Sequence, residues 1–322
     1  MRTKLISAPY TIWMTLFIIV PMGLVAFFAF TDKSGAFTLD NIARVGQYSN
    51  VFLRSIWLGA LATFISLLLG YPLAYTIAKA APNRQSFLIL LIMLPMWMNF
   101  LLRTYAWMSL LEDNGLINNM LAAVGLPRIH MINTAGAVVL GMVYNYIPYM
   151  ILPIYSVLTK IDNSVIEAAQ DLGANNRNVF LKVVLPMSMP GVISGVTMVF
   201  VPAVSTFIIS KMLGGGGNLL IGDLIDMQFL GSAYNPNLGS AISLVLMVII
   251  LICMGIMNQF DDGDASVGGG MILRPLLNLF DVSKGLASFT SSFTVLAMAA
   301  TNLITYKAQG NKVKLNNIVY ML

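Results

Sequence analysis

The residues with chemical capacity in this 322-residue chain are few and far apart. His130 is the sole histidine and Cys253 the sole cysteine, so the chain holds neither a histidine cluster for a metal nor a second thiol for a disulfide. Gly214–Gly217 precedes a segment of helical character, the setting of a phosphate loop, but no Lys-Ser or Lys-Thr follows it. That run reads as a flexible hinge. Ser164 and Glu167 have the spacing of a capping box, in which hydroxyl and carboxylate each satisfy an orphan amide at a helix start. Arg103 sits inside an apolar run, where a charge is expensive and must face the protein interior or snorkel outward. A carbonyl, or a carboxylate such as Glu112, is its expected partner. An intramembrane enzyme would need a His, Asp or Ser cluster within such runs, and these runs carry almost no acids.

Positioning Ser164 and Glu167 requires a helix that begins at Val165, with Val165, Ala168, Ala169 and Leu172 on one face. Gly173 supplies the left-handed residue that stops it. Asn175 or Asn176 can cap a second short helix from Arg177 to Leu185, which Pro186 ends. The stretch Ser164–Pro186 is thus a polar helix–turn–helix between two apolar runs. Two turns are marginal alone in water, so its rigidity must come from packing. Its alanines keep one side slim enough to enter a groove.

Composition sets the solvent. Hydrophobic residues make up 58% of the chain and charged residues 10%, with mean hydropathy +0.81. Too little polar surface remains for a soluble globule, so the chain is an integral membrane protein. The formal charge of +5 is dispersed rather than gathered in a basic stripe interleaved with aromatics, which argues against nucleic acid.

Apolar runs of about the 20 residues that a bilayer requires fall near 10–30, 53–78, 87–110, 134–158, 190–210 and 236–257. The expected fold is therefore all-α, a polytopic bundle of six transmembrane helices. Pro72, Pro95, Pro148, Pro153 and Pro202 should bend them, as membrane bundles tolerate. With the N-terminus inside, Arg2, Lys4, Lys79, Arg84, Lys160, Arg177 and Lys182 lie inside, against Lys33, Arg44, Arg54, Arg128 and Lys211 outside. This bias puts Ser164–Pro186 in the cytoplasm. The external loops are then about 31–52, 111–133 and 211–235, and in the last Leu219, Leu220, Ile225 and Phe229 fit a short helix at the membrane surface. Beyond 1–260 the character changes to an acidic, flexible linker and a tail, 261–322. Leu286–Ile304 is long enough to span, but seven Ser, Thr and Asn residues favour an interfacial or poorly ordered tail, with an unrelated appendage as the alternative.

Glu167-Ala168-Ala169, then Gly173, then Leu185-Pro186 resembles the EAA loop of permease subunits in binding-protein-dependent ABC importers. Over residues 1–260 the chain is also similar to spermidine/putrescine importer permeases. Gly70-Tyr71-Pro72 with Ala74, LPMWMNFLLRTYAW at 94–107, NGLIN at 114–118 and GGGGNLLIGDLIDMQFL at 214–230 carry that likeness. The tail departs from it.

The resemblance implies a type I importer permease fold in the cell membrane, multi-pass, with a cytoplasmic N-terminus. Glu167, Ala168, Ala169, Asp171, Leu172, Gly173, Ala174, Leu185 and Pro186 would form the coupling helix region that docks on an ATPase. A second homologous permease, two ATPase subunits that bind ATP and Mg, and an extracytoplasmic polyamine-binding protein would complete the assembly, with membrane lipid around it. No cofactor is expected in this chain, which is a transport subunit and not an enzyme. A polyamine is a flexible polycation, so carboxylates at the outer mouth and aromatic faces within would suit it. Glu112, Asp113, Asp223 and Asp226 are the outer candidates. Trp97, Tyr105, Trp107, Tyr144, Tyr146 and Tyr149 are the lining candidates. A cationic Arg103 opposes such a substrate unless paired, which favours a structural or gating role. The alternatives are an ABC permease for another small solute, or an ion-coupled carrier with ionisable groups or broken helices at the midplane.

Overall fold

The computed structural model describes residues 13–259 apart from Met14 and Ser232. The tail 261–322, with Leu286–Ile304, and the N-terminal Arg2 and Lys4 lie outside the described residues. Thirteen α-helices, several extended or joined by tight turns, make up the described part, and one isolated bridge pairs Thr31 with Phe37. Within the described residues, Val25–Leu246 forms one compact unit.

Three helices, α3 (Ser49–Ala78), α7 (Ala135–Leu158) and α10 (Leu185–Ser205), pack on one another to form the centre of that unit. Leu58 and Ala62 meet Val138 and Met142 in one buried cluster, whereas Tyr71 and Ala74 meet Met150 and Ile154 in another. Because both clusters advance in the same sense along α3 and α7, these two helices run parallel, as spans two apart in the chain must. Close approach to α10 depends on missing side chains: a Cβ on Gly195 would lie 3.0 Å from the Met150 carbonyl oxygen, and one on Gly191 would lie 2.9 Å from that of Pro153. This is the small-xxx-small packing of membrane helices. On its outer flank α3 exposes Leu53, Trp57, Phe64 and Leu68, a stripe at helical spacing suited to hydrocarbon.

Among the described residues, four helical stretches are long and apolar enough to cross a bilayer: Asp40–Ala78, Ala135–Leu158, Asn176–Ser205 and Pro236–Met257. Thr15–Ala29 is a shorter apolar helix, and its last ten residues form α1 (Val20–Ala29). The expected continuous span at 87–110 is instead broken, with Pro82–Trp97 and Phe100–Ala123 meeting at 88°. The cause is local. Pro95 confines Leu94–Trp97 to a 3-10 turn, Met98 is extended, and Asn99 starts a new helix, α5 (Phe100–Leu111), by accepting the Leu101 amide at 2.8 Å.

The glycine run is a tied turn rather than the expected hinge. Gly215 (φ +59°) and Gly216 (φ +73°) take left-handed conformations; Arg54 donates to the Gly217 carbonyl at 3.0 Å, and the Asn218 amide bonds the Asn133 and Gly214 carbonyls. A Cβ on Gly215 would collide with Asn133. The helix that follows, α12 (Ile221–Phe229), buries Ile221, Leu224 and Gln228 in the protein. The surface-lying helix read from Leu219, Leu220, Ile225 and Phe229 is thus replaced by one packed inward, with Leu220 itself fully buried.

Candidate functional site

The polar segment between α7 and α10 begins with helix α8 (Asn163–Asp171). Asp162, not Ser164, caps it, its carboxylate accepting the Ser164 amide at 3.0 Å. That bond and the Ser164 hydroxyl hold the Asp162 carboxyl below its ordinary range. Asp162, Asn163 and Ser164 are all capable caps. The register is settled two residues earlier than the Ser164–Glu167 spacing implies because Ile161 and Ile166 both pack against the buried cluster of α3, α7 and α10. Glu167 is exposed.

The C-terminal end follows the expectation. Gly173 has φ +84°, its amide donates to the Gln170 carbonyl at 2.8 Å, and the Ala174 amide donates to that of Ala169 at 3.0 Å. This is a Schellman closure. Ala169 and Ala174 pack inward together with Ile166. The apolar face read from the sequence therefore splits, with Ala169 turned in while Val165, Ala168 and Leu172 stay on the surface. Leu172 is 90% exposed. Glu167 and Asp171 are also exposed.

Asn175 then caps α9 (Asn176–Val179), accepting the Asn178 amide at 2.8 Å. The expected stop at Pro186 does not occur. The helix continues through a π turn, Phe180–Val184, into α10, with Leu185 and Pro186 in its first turn. Proline is tolerated there because first-turn amides lack helical partners or bond to wider spacings. Leu185 is half-buried and Pro186 exposed.

Three of the four acids are held by a local partner. Asp113 meets His130 at 2.8 Å and Asp226 meets Lys211 at 3.1 Å, both at the surface. Glu112 ends α5, is exposed, and makes no ion pair among the described residues. Asp223 is buried, one carboxylate oxygen accepting the Leu220 amide at 2.9 Å while the other has no partner. Burial pushes its carboxyl above the ordinary 3.8, against the pull of the Leu220 amide and the Lys211 charge. A raised folded value means a contribution to stability that is complete below 3.8 and lost as pH rises through the folded value. Asp223→Asn is accordingly expected to raise the unfolding temperature at pH 8 and to have little effect at acid pH, by thermal melts of the purified protein at both.

Among the aromatics, Trp107 and Tyr144 are brought together edge to face, with centroids 5.3 Å apart. Trp97, Tyr105 and Tyr149 are exposed, and Tyr146 is half-buried against both central clusters. Arg103 is only 8% exposed, with Nε and Nη1 lacking hydrogen-bond partners. Its guanidinium carbon stands 5.9 Å from the Phe100 ring centroid. The expected pairing with Glu112 is not made, since nine residues of helix separate them by roughly 13 Å.

Residues to which the sequence assigned no role at the site also come together. Tyr71 on α3 bonds Ser188 on α10 at 2.8 Å in the interior. Tyr71 and Tyr75 both lie edge-on to Phe180, with centroids 5.8 and 5.4 Å away. Only the spacing of Tyr71 and Tyr75, one turn apart, hinted at a shared face.

Among the described residues the chain is a bundle of apolar helices with a short polar helix in one inter-span loop, the architecture of a membrane permease. Residues 85–262 match the family described as binding-protein-dependent transport system inner membrane component, and the chain belongs to that family. It is 38% identical over 248 residues to the spermidine/putrescine transport system permease protein PotB of Haemophilus influenzae, covering 74% of this chain and 86% of the relative. The PotB of Escherichia coli K12 is 36% identical over the same length, with 74% and 90% covered. In fold, the chain resembles one from the crystal structure of a bacterial alginate ABC transporter in complex with alginate pentasaccharide-bound periplasmic protein. There the TM-score is 0.67 at 19% identity, with 83% and 96% covered.

Proposed function

We infer that this chain is the permease subunit of an ABC importer for spermidine and putrescine, with residues 1–260 as the transport domain. It pairs with a second homologous permease, rests on two ATPase subunits that bind ATP and Mg, and receives substrate from an extracytoplasmic polyamine-binding protein. The likeness to the PotB permeases supports the substrate class. The observation that carries the mechanism is the exposed Val165–Ala168–Leu172 stripe on a helix braced from behind by Ile166 and Ala169. A short helix anchored on one face and apolar on the other fits a groove and moves as one body with the spans.

In this reading the N-terminus and Ser164–Pro186 are cytoplasmic. Glu167 and Asp171 border the docked stripe, and Gly173 with Ala174 sets its angle. ATP-driven closure of the ATPase pair draws the docking helices together and selects the outward-facing arrangement of the spans. Glu112 is the outer acid left free to meet a cation first, whereas Asp113, Asp223 and Asp226 must exchange existing partners. Trp97, Tyr105 and Tyr149 offer exposed aromatic faces, Trp107 and Tyr144 a packed pair, and Arg103 a gating charge.

The test is uptake of labelled putrescine and spermidine by the complete complex in proteoliposomes. ATP-dependent accumulation of either is the expected result. Uptake of neither, with an unrelated solute accumulating instead, would remove the polyamine assignment.

A further inference from the structure

We propose that the π turn Phe180–Val184 and the aromatic clamp around Phe180 form the joint that fixes the docking helix to the spans and carries its movement into α3. The proposal rests on the transport reading above and names residues which that reading leaves without a role.

The turn has a demonstrable geometric effect. The Leu185 amide reaches back to the Phe180 carbonyl, five residues away. In a regular α-helix, residues five apart stand about 140° from each other around the axis, so Val179 and Val184 would face different neighbours. Here both are buried, at 5% and 2% exposure, in the same cluster. The extra residue thus rotates everything before it by about 100° relative to α10. It is this offset that seats Val179 and Phe180 against α3 while α8 keeps its apolar stripe outward.

Phe180 is then gripped from the side. Tyr71 and Tyr75 present their rings at 84° and 76° to it, the favoured edge-to-face arrangement. The clamp is braced at both ends, by the Tyr71–Ser188 bond inside and by Lys79, whose ammonium lies 4.4 Å above the Tyr75 ring. A push on α8 therefore reaches α3 through Phe180 and reaches α10 through the turn. π turns occur as single inserted residues and gather at functional sites. An inserted residue that only relieved strain would have no reason to be locked on both sides by another span.

The experiment removes the insertion. Deleting Lys182, which is exposed, restores an α register and rotates α8 without touching the stripe itself. In the complete complex we expect the deletion chain to retain its ATPase subunits, hydrolyse ATP at the basal rate, and import about tenfold fewer polyamine molecules per ATP, the scale of a coupling free energy. Import per ATP within twofold of the parent overturns the proposal. Where the deletion chain does not assemble, Phe180→Leu decides. It preserves an apolar side chain, and a fall in import per ATP at unchanged complex yield supports the joint while an unchanged ratio overturns it. A parent complex that imports no polyamine tells against the function assigned above and not against the joint, which the ratio of ATP hydrolysis to movement of α3, read by spin labels, would still report.

Discussion

Leu172→Asp is expected to bring polyamine uptake to background while leaving the permease folded and its melting temperature unchanged. Leu172 is 90% exposed and touches nothing that the chain needs for its own stability, so the substitution removes no internal burial. What it changes is a partner surface. A large apolar side chain left 90% exposed at the end of a small docking stripe has the chemistry of a binding anchor, whose loss costs about 2 kcal/mol or more, roughly thirtyfold in affinity. The aspartate adds a charge to a site that must lose water, a second penalty of the same sign. Co-purification of the ATPase subunits and transport by the remaining complexes are the measurements. Full retention of the ATPase with parental uptake would show that the stripe faces no partner. Gly173→Val makes the useful comparison. A β-branched residue in the left-handed region costs about 1–2 kcal/mol, which loosens the end of α8 without altering the stripe, so its effect should be partial where that of Leu172→Asp is near complete.

How much of this was legible in the sequence depended on the range of the forces involved. Gly173 and Asn175 were readable because a left-handed stop and an N-cap are settled within four residues. The choice of Asp162 over Ser164 was not, because three adjacent side chains can cap and the deciding contacts come from Ile161 and Ile166 on a distant cluster. Pro186 gave the wrong boundary for a related reason: a proline breaks a helix only where its missing amide is needed, and the π turn ahead of it had already altered the pattern of bonds. No periodicity rule announces that turn, since a single inserted residue leaves apolar spacing ambiguous in a run as rich as FLKVV. The 88° break at Met98 had its signals in plain view in Pro95 and Asn99. Hydropathy averaged over the run concealed them. The acids and aromatics illustrate the remaining limit. Their types follow from the chemistry of the expected substrate, but the pairing of Asp113 with His130 and of Asp226 with Lys211 spans 17 and 15 residues and belongs to the folded loops.

Arg103→Met carries the second large expectation, and its two halves have opposite signs. In the folded chain the guanidinium is buried with two nitrogens unbonded, and no carboxylate forms an ion pair with it among the described residues. Phe100 gives it only a ring at the outer limit of a cation–π contact. A charge so placed destabilises its surroundings, and replacing buried ionic groups by apolar ones of similar volume has the scale of about 1–4 kcal/mol in favour of the fold. Methionine fills the space without a charge, so the melting temperature of the purified permease should rise by several degrees. Uptake should fall, because a buried cation facing the interior of a cation transporter sets an electrostatic barrier that its open and closed arrangements can use differently. Higher stability with impaired transport is the signature of a residue retained for function against the interest of the fold. Lower stability in the methionine variant would mean that the guanidinium has a strong partner in the working protein, since removing one member of a buried pair costs about 3–5 kcal/mol. Arg103→Lys separates charge from shape: the barrier predicts near-parental uptake, because lysine keeps the charge, whereas a role in fixed bidentate bonding predicts a loss as large as that of methionine.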